Sequence, residues 1–263
     1  MLAVERTQYI MDALKEKKVV MVGDLSKEMN VSEETIRRDL EKVEKQGLIC
    51  RVHGGAYLKE GYGNETPITV REKIYQKEKA EIATCCVALI EDQDSIILDC
   101  STTAVYIAKE LVHSNKKVTV ITNSLSVATE LSRSESVRLI MLGGELRPST
   151  NSFCGRITEN SLKDYFADKA FISSAGISLQ AGVSDYTQEE ASIRKKMISR
   201  SKVCYFAADV TKIERSAVNK VADLSEVDCL IVNLPIQTEH EEFQKELERL
   251  KIKTIICSDD NMC

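Results

Sequence analysis

A cluster of hydrogen-bonding side chains follows an apolar run in the sequence IILDCSTTAVYIAKEL, residues 96–111. Asp99 ends the apolar run, and the hydroxyl groups of Ser101, Thr102 and Thr103 follow where an amphipathic stretch begins. The first N–H groups of a helix lack partners and the helix dipole is positive there, so the position suits an anion such as a phosphate. Asp99 itself repels an anion, and we assign it either to the hydroxyls of a sugar or to holding the loop.

Two more loops carry residues of this kind at the ends of apolar runs. Asn123 and Ser124 follow one run, and Gly143 and Gly144 follow the next. Parallel strands bring their carboxyl ends to one edge of a sheet, so hydroxyls, amides and closely approaching glycine backbone can converge there, and Lys212 adds charge. For each loop alone, turn formation and helix capping are the commoner roles. Three such loops in register favour a binding pocket.

A second group of residues has the spacing of a DNA-reading helix. In VSEETIRRDLEKVEKQ, residues 31–46, Ile36, Leu40 and Val43 form one apolar stripe, and the remaining positions are polar or charged. A helix of this kind after a short turn and another helix can lie in a major groove, where Thr contacts thymine methyls or phosphates and Arg pairs with guanine. The alternative is an ordinary solvated helix. The candidate DNA contacts, including two in a following hairpin that can act as a wing, are Ser32, Glu34, Thr35, Arg37, Arg38, Lys42, Arg51 and His53.

The elements that must position these residues fall into two groups. Residues 1–58 read as helices over 6–16 and 20–29, a third helix from the N-cap Ser32 to Gly47, and a β-hairpin around Gly54-Gly55. Residues 59–70, with two Gly and a Pro, are the predicted linker.

From residue 71 a long helix leads into a region where short apolar runs alternate with helical segments. The predicted strands are 96–100, 118–123, 137–143, 169–174, 203–209, 228–233 and 254–258. The predicted helices are 104–113, 125–132, 159–165, 189–201 and 239–250. This alternation indicates an α/β domain over 71–263, with a parallel sheet covered on both faces.

Composition narrows the class of protein. The chain has 263 residues, enough for two domains, with 43% apolar and 29% charged residues and a net charge of −5. Its nine cysteines include no C-x-x-C pair, so we expect reduced, buried thiols, no metal site and a cytoplasmic protein. No apolar run is long enough to cross a bilayer, so no membrane partner is expected.

The motifs resemble those of one known family. Arg6-x-x-x-Ile10, followed by Ser32-x-x-Thr35-Ile36-Arg37-Arg38-Asp39-Leu40 and by RVHGGA at 51–56, is similar to the helix-turn-helix and wing of the DeoR family of bacterial transcription regulators. The resemblance places the helix-turn-helix motif at about residues 20–39. It implies a winged helix-turn-helix followed by a Rossmann-like α/β sensor domain, similar to ribose-5-phosphate isomerase, that senses phosphorylated sugars or related metabolites.

The resemblance extends to the loops of the second domain. Asp99 to Thr103 matches the D-x-S-T-T loop of the family, and residues 122–124 and 143–144 match its next two loops. Asp209-x-x-Lys212 resembles a D-x-S-K segment, and Asp185 with Glu190 falls in a D-x(4)-E stretch.

The same comparison argues against catalysis. The isomerase has an acidic motif where this chain has Ser173, Ser174 and Ala175, and the loop SLQAGVSDYTQEE that follows has no lysine. We therefore expect no enzyme activity, no catalytic residue and no cofactor. The alternatives are an isomerase-like enzyme with an accessory DNA-binding domain, or an architectural DNA-binding protein with a vestigial pocket.

The expected function is that of a transcription factor. We expect a repressor of a sugar or polyol operon that binds double-stranded operator DNA and is controlled by a phosphorylated sugar or polyol effector. One winged unit reads only a few base pairs, so a homo-oligomer, a dimer or tetramer, is also expected.

Overall fold

The computed structural model describes residues 2–58, 68–236 and 240–257. Contacts divide the chain into two units, Met1–Gln76 and Lys77–Cys263. Most of the expected linker, residues 59–67, lies outside the described residues.

The first unit is a three-helix bundle with a small antiparallel sheet. Its elements are α1 (Ala3–Lys17), β1 (Val19–Met21), α2 (Val22–Met29), α3 (Glu33–Lys45), β2 (Ile49–Val52), β3 (Gly55–Leu58) and α4 (Ile68–Arg71). The sheet has the strand order β1-β3-β2. The predicted apolar stripe of α3, Ile36, Leu40 and Val43, is buried in a core shared with α1 and α2. The winged helix-turn-helix fold is confirmed.

The predicted helix over 20–29 is wrong at its start. Val19–Met21 is a strand, in which Val20 pairs with Ala56 of β3, and α2 begins only at Val22. β-branched residues suit a strand, and here they complete the sheet of the wing. The two strands approach so closely that a Cβ at position 55 would lie 2.3 Å from the carbonyl oxygen of Val20, so only glycine fits there.

The predicted continuous helix from residue 71 is also wrong. Helix α4 ends at Arg71, Tyr75 has a left-handed φ of 52°, and the next helix begins at Gln76. Val70 and Ile74 are buried with Val19 on the outer face of the wing sheet. Burial of these apolar side chains explains why the chain turns here and why the first unit extends to Gln76.

The second unit is built on a seven-stranded parallel sheet with the strand order β15-β14-β12-β9-β4-β5-β6. The elements of the unit are α5 (Gln76–Ala88), β4 (Ser95–Leu98), α6 (Thr102–Ser114), β5 (Val118–Thr122), α7 (Leu125–Leu131), β6 (Val137–Met141), β7 (Glu145–Arg147), β8 (Ser152–Cys154), α8 (Arg156–Leu162), β9 (Ala167–Ile172), β10 (Gly176–Ser178), β11 (Gly182–Asp185), α9 (Gln188–Ser199), β12 (Ser201–Ala207), β13 (Asn219–Ala222), β14 (Cys229–Val232), α10 (Glu241–Arg249) and β15 (Lys253–Ile256). Each of the seven strands of the sheet overlaps one of the seven predicted strands, with starts that differ by up to two residues, and the α/β fold is confirmed.

Both faces of the sheet are buried, as the apolar runs predict. Ile96 and Leu98 of β4 pack on the side of α5 and α6, in one apolar cluster. Ile97, between them, packs in a second cluster with Met197 of α9 and Phe243 of α10. The alternation of side chains along a strand explains this division.

Two small antiparallel sheets were not predicted. One is the hairpin β7–β8, and the other has the order β10-β11-β13. Their strands have three or four residues each. Such short runs contain too few residues for an alternating pattern to be recognised.

Candidate functional site

Helix α3 begins as the sequence predicts. The Ser32 side chain accepts a hydrogen bond from the backbone N–H of Thr35 at 3.3 Å, and the two hydroxyl oxygens lie 2.9 Å apart. This N-cap satisfies one of the free donors of the first turn. The first turn of α3 therefore presents its side chains from a fixed backbone.

The two candidate base-reading arginines form ion pairs along α3. Arg37 lies 2.5 Å from Glu33, and Arg38 lies 3.1 Å from Glu34. All four side chains are more than half exposed. Exposed pairs of this type contribute about 0–1 kcal/mol, so either guanidinium can leave its carboxylate for a phosphate or a base at little cost.

The other candidate DNA contacts are also at the surface. Lys42 is exposed and lies 3.8 Å from Asp39, and Arg51 at the wing lies 2.7 Å from Glu44. The exposed ring of His53 stacks on Tyr75 with 4.9 Å between ring centroids. All eight candidates are thus placed on α3, its N-cap or the wing.

A buried ion pair fixes the position of α3. The Nε of Arg6 on α1 lies 2.7 Å from the carboxylate of Asp39, whose side chain is 2% exposed. Charge-assisted hydrogen bonds of this kind are about twice as strong as neutral ones. The pair explains why Arg6 and Asp39 belong to the sequence motif although neither is a candidate DNA contact.

In the second unit, the order of strands reverses between β4 and β9. The chain passes from β4 through β5 to β6 on one side, and from β9 through β12 to β14 and β15 on the other. In open α/β sheets, ligands bind outside the carboxyl ends of the strands at such a switch point. The loop from Asp99 to Thr103 and the loop from Ser173 to Ala175 flank it.

Asp99 holds these two loops together. Its carboxylate accepts hydrogen bonds from the backbone N–H of Ser101 at 3.0 Å and of Ser173 at 3.1 Å. The Nε of Arg194 on α9 donates to it at 2.8 Å. Asp99 is 1% exposed, so its contacts fit the role of holding the loop.

Arg194 is the centre of a buried charge network beneath the switch point. It is 2% exposed, and its Nη1 also donates to Asp185 at 2.6 Å and to Glu190 at 3.1 Å. Burial alone lowers the pKa of Arg194, but the negative charges around it outweigh this effect and hold the pKa well above its usual value. The guanidinium is therefore permanently charged.

The network continues outward through Glu190. Arg147 on β7 donates to Glu190 at 2.7 Å and to the Thr150 hydroxyl at 3.2 Å. The Cys100 thiol lies 3.5 Å from Nη2 of Arg194, and burial raises its pKa to about 12 in spite of that positive charge. Cys100 consequently stays a neutral thiol.

Two of the candidate hydroxyls cap helices. The Ser101 side chain accepts from the backbone N–H of Ala104 at 3.0 Å, and the Ser124 side chain accepts from that of Val127 at 3.3 Å. A serine hydroxyl that accepts such a bond keeps its own hydrogen for another acceptor. Thr102 and Thr103 are buried in the first turn of α6, and their hydroxyls form no hydrogen bond to the described part of the chain.

Asn123 has one polar atom without a partner among the described residues. Its amide nitrogen donates to the carbonyl of Phe153 at 2.7 Å, whereas its Oδ1 is buried and accepts no hydrogen bond. The hairpin β7–β8 lies against this loop, because the N–H of Phe153 donates back to the Asn123 carbonyl at 2.8 Å. An unsatisfied acceptor in such a position points to a donor supplied from outside the chain.

The remaining candidates flank this region. Gly143 has open space where a Cβ would project, but a Cβ at Gly144 would lie 2.0 Å from Thr158 Oγ1, so Gly144 is required by packing. Lys212 ends a turn after β12, which is separated from β4 by β9. The structure therefore groups residues 99–103, 123–124 and 143 on adjacent strand ends and places Lys212 on the far side of the switch point.

Comparison with known proteins identifies the family. Residues 6–61 match the DeoR-like helix-turn-helix domain, and residues 74–233 match the DeoR C-terminal sensor domain. The chain belongs to the DeoR family of transcriptional regulators.

Three regulators of known sequence are similar to this DeoR-family chain over most of their length. It is 39% identical over 233 residues to the uncharacterised HTH-type transcriptional regulator YulB of Bacillus subtilis (strain 168), covering 89% of this chain and 90% of the relative. It is 34% identical over 257 residues to the HTH-type transcriptional repressor GlcR of the same strain, covering 97% of each. It is 32% identical over 249 residues to the lactose phosphotransferase system repressor of Lactococcus lactis subsp. lactis, covering 94% and 97%. The chain is thus a DNA-binding transcriptional regulator of the DeoR type.

One solved structure aligns with about half of the chain. Ribose 5-phosphate isomerase A from Methanocaldococcus jannaschii aligns with a TM-score of 0.40 and 17% identity, over 52% of this chain and 54% of the isomerase. A likeness at this level carries no functional argument.

Sequence reasoning missed the two buried or partly buried arginines of the charge network, Arg194 and Arg147. Arg194 lies four residues after Glu190 on the buried side of α9, where the other buried residues, such as Ala191 and Ile198, are apolar. A charged residue at a core position of a helix is a usable signal, because buried charges are almost always paired. Arg147 gave no such signal, since its role depends on how the hairpin β7–β8 folds.

Among the described residues, no helix is long and apolar enough to span a membrane.

Proposed function

We propose that this regulator represses a sugar or polyol operon and that a phosphorylated sugar or polyol, bound at the switch point of the second unit, changes its grip on operator DNA. The observation that carries the proposal is the set of open hydrogen-bonding groups at the ends of β4 and β5. These are the hydroxyls of Thr102 and Thr103 and the buried Oδ1 of Asn123.

The open groups differ in what they can recognise. The threonine hydroxyls stand in the first turn of α6, where free N–H groups and the helix dipole favour a phosphate. The Asn123 Oδ1 is an acceptor, so it selects a donor such as a sugar hydroxyl, and a phosphate dianion offers none. A phosphate and a hydroxyl on one small molecule match both groups.

The family relationship supports the same class of ligand. A relative that covers nearly the whole chain is named a lactose phosphotransferase system repressor. The test is a panel of phosphorylated sugars and polyols, each with its unphosphorylated counterpart, read by release of operator DNA. Release by the unphosphorylated compounds alone would contradict a phosphate site.

We further propose that the second unit senses and does not catalyse. A phosphosugar isomerase needs a general base beside the substrate carbon. The carboxylate of Asp99, in the loop after β4, is already occupied by two backbone N–H groups and Arg194, and the buried Asp185 and Glu190 are paired with Arg194 as well. A carboxylate held in this way is a poor base, which supports a sensor without cofactor.

For DNA recognition we propose that Thr35, Arg37 and Arg38 contact bases. Arg51 and His53 add sequence-independent affinity. Replacing Arg37 or Arg38 with alanine should weaken operator binding by about 1–3 kcal/mol and relax the preference at one base pair. The measurement is affinity for the promoter of the protein's own gene at fixed salt.

Lys45→Ala is the matched control for these variants. Lys45 is as exposed as Arg38 and pairs with Glu41 with the same four-residue spacing, but it lies at the carboxyl end of α3. Its loss should reduce affinity little. If the two arginine variants bind the operator as the wild type does, this orientation of α3 is wrong.

We also propose a homo-oligomer in the cytoplasm. One winged unit contacts only a few base pairs, so useful specificity requires at least two units on repeated half-sites. Light scattering on the full chain, with and without operator DNA, should give the mass of a dimer or larger. A monomer in both conditions would contradict the proposal.

A further inference from the structure

A short segment of the first unit packs on the outer face of the wing. Residues 68–75, called the strap below, directly precede α5. Val70 and Ile74 of the strap are buried with Val19 of β1, and side chains of β2 and β3 pack against the same cluster. The next residue along β1, Val20, packs in the main core of the unit instead. The strap therefore supports the wing from the side that faces away from that core.

The last residue of the strap touches a side chain of the wing. The ring of Tyr75 stacks on the ring of His53, with 4.9 Å between centroids and 18° between ring planes. Aromatic rings whose centroids are about 4.5–7 Å apart attract each other beyond the gain from burial. Stacking covers one face of the imidazole and leaves the nitrogens at the ring edge open. His53 is exposed, and its nitrogens form no hydrogen bond within the described part of the chain.

The backbone at Tyr75 is held in an uncommon conformation. Its φ of 52° lies in the left-handed region, which residues other than glycine rarely adopt. Such a conformation costs free energy and persists only where the surrounding contacts impose it, which happens most often at functional sites. Here the buried Ile74 precedes it and α5 begins directly after it, at Gln76. The backbone and the stack are two separate indications that the Tyr75 ring is placed for a purpose.

We propose that Tyr75 is a positioning residue for DNA binding, which holds the imidazole of His53 in the orientation that contacts the phosphate backbone. This inference rests on the DNA contact proposed above for His53. It adds a residue outside the helix-turn-helix and the wing to the parts of the chain that set the affinity for DNA. Tyr75 itself does not touch DNA in this proposal and acts only through His53.

The stack affects binding through the freedom of the imidazole. An exposed side chain samples several rotamers, and fixing one of them on binding costs free energy. The stack with Tyr75 orders the His53 ring before DNA arrives, so this cost is smaller. Contacts to the phosphate backbone carry no information about the base sequence. The gain in affinity should therefore be the same for the operator and for unrelated DNA.

The experiment measures the affinity of full-chain variants for the promoter of the protein's own gene and for an unrelated duplex of the same length, at fixed salt. Tyr75→Leu removes the aromatic ring but keeps an apolar side chain against the strap cluster. It should weaken binding to both duplexes by about threefold to tenfold, the cost of ordering one side chain. Tyr75→Phe keeps the ring and should bind both duplexes as the wild type does.

A double-mutant cycle separates positioning from general support of the fold. His53→Ala should weaken binding to both duplexes at least as much as Tyr75→Leu does. In the His53→Ala background, Tyr75→Leu should cause no further loss, because the ring that it positions is gone. Gln76→Ala is the matched control, since Gln76 is the exposed and uncharged neighbour of Tyr75, and this variant should bind as the wild type does. Circular dichroism checks that each variant is folded.

The outcomes distinguish this inference from the DNA contact on which it rests. If His53→Ala weakens binding and Tyr75→Leu does not, the contact of His53 stands and the positioning role of Tyr75 is overturned. An equal loss from Tyr75→Leu with and without His53, or a loss from Tyr75→Phe as large as that from Tyr75→Leu, would also overturn it. If His53→Ala binds both duplexes as the wild type does, the proposed contact is wrong and the positioning role is wrong with it.

Discussion

Replacing Arg194 with methionine should destabilise the second unit by about 3–5 kcal/mol. The guanidinium is 2% exposed and donates to Asp99, Asp185 and Glu190. Methionine fills a similar volume but leaves these buried carboxylates without their shared cation, and removing one partner of a buried ion pair costs this much. Urea unfolding of the full chain, followed by circular dichroism, measures the loss.

Two further variants separate the effect of lost ion pairing from the effect of changed side-chain volume on stability. Arg194→Lys keeps the charge but loses the planar guanidinium that donates to three carboxylates. Its stability should therefore lie between that of Arg194→Met and that of the wild type. Arg147→Met removes a partner at the partly exposed end of the same network, and its effect should be smaller. A wild-type unfolding curve for Arg194→Met would show that the buried charges do not hold the loops.

The double replacement Thr102→Val and Thr103→Val should leave operator binding intact and abolish its release by the effector. Valine keeps the shape of threonine and removes the two hydroxyls that form no hydrogen bond within the described chain. Saturating the wild type with ligand at a hundredfold excess over Kd should raise stability by about 2.7 kcal/mol, a melting shift on the order of several degrees. The double variant should lose that shift.

The control for this variant is Thr129→Val on α7. The Thr129 hydroxyl donates to the carbonyl of Leu125 within its own helix, so its loss should leave the effector response unchanged. To change DNA occupancy the ligand must favour one state of the protein, because equal affinity for both states shifts nothing. If the double variant releases the operator as the wild type does, the two threonine hydroxyls beside the N-cap of α6 do not bind the effector.

The sequence predicts the parts of this fold that depend on long, regular patterns. The apolar stripe of α3 and the seven apolar runs of the large sheet repeat often enough to be read without a structure. The sequence wrongly places Val20 and Met21 in a helix because a three-residue strand carries too little pattern, and pairing with β3 decides its conformation. The break before Gln76 depends on packing of Val70 and Ile74 on the wing, which is a tertiary contact.

The candidate site also has residues that the sequence predicts and residues that only the fold reveals. The polar residues that follow β4 and β5 stand at strand ends, so their positions in sequence predict where they lie. Arg194 and Arg147 come from elements distant in sequence, and only the fold brings them to Glu190. The missing partner of the Asn123 Oδ1 is likewise visible only when its surroundings are known.

The ion pairs on α3 have a consequence for how the protein searches a genome. In the docking of α3 that we propose, Glu33 and Glu34 beside Arg37 and Arg38 lower the net positive charge of the helix surface that faces DNA, although each ion pair is itself weak. Attraction between phosphates and basic side chains supplies most of the affinity for arbitrary sequences. In this proposed docking, the acidic neighbours should shorten the time that α3 stays bound to sequences other than the operator. The helix would then have lower affinity for arbitrary DNA and higher specificity for the operator.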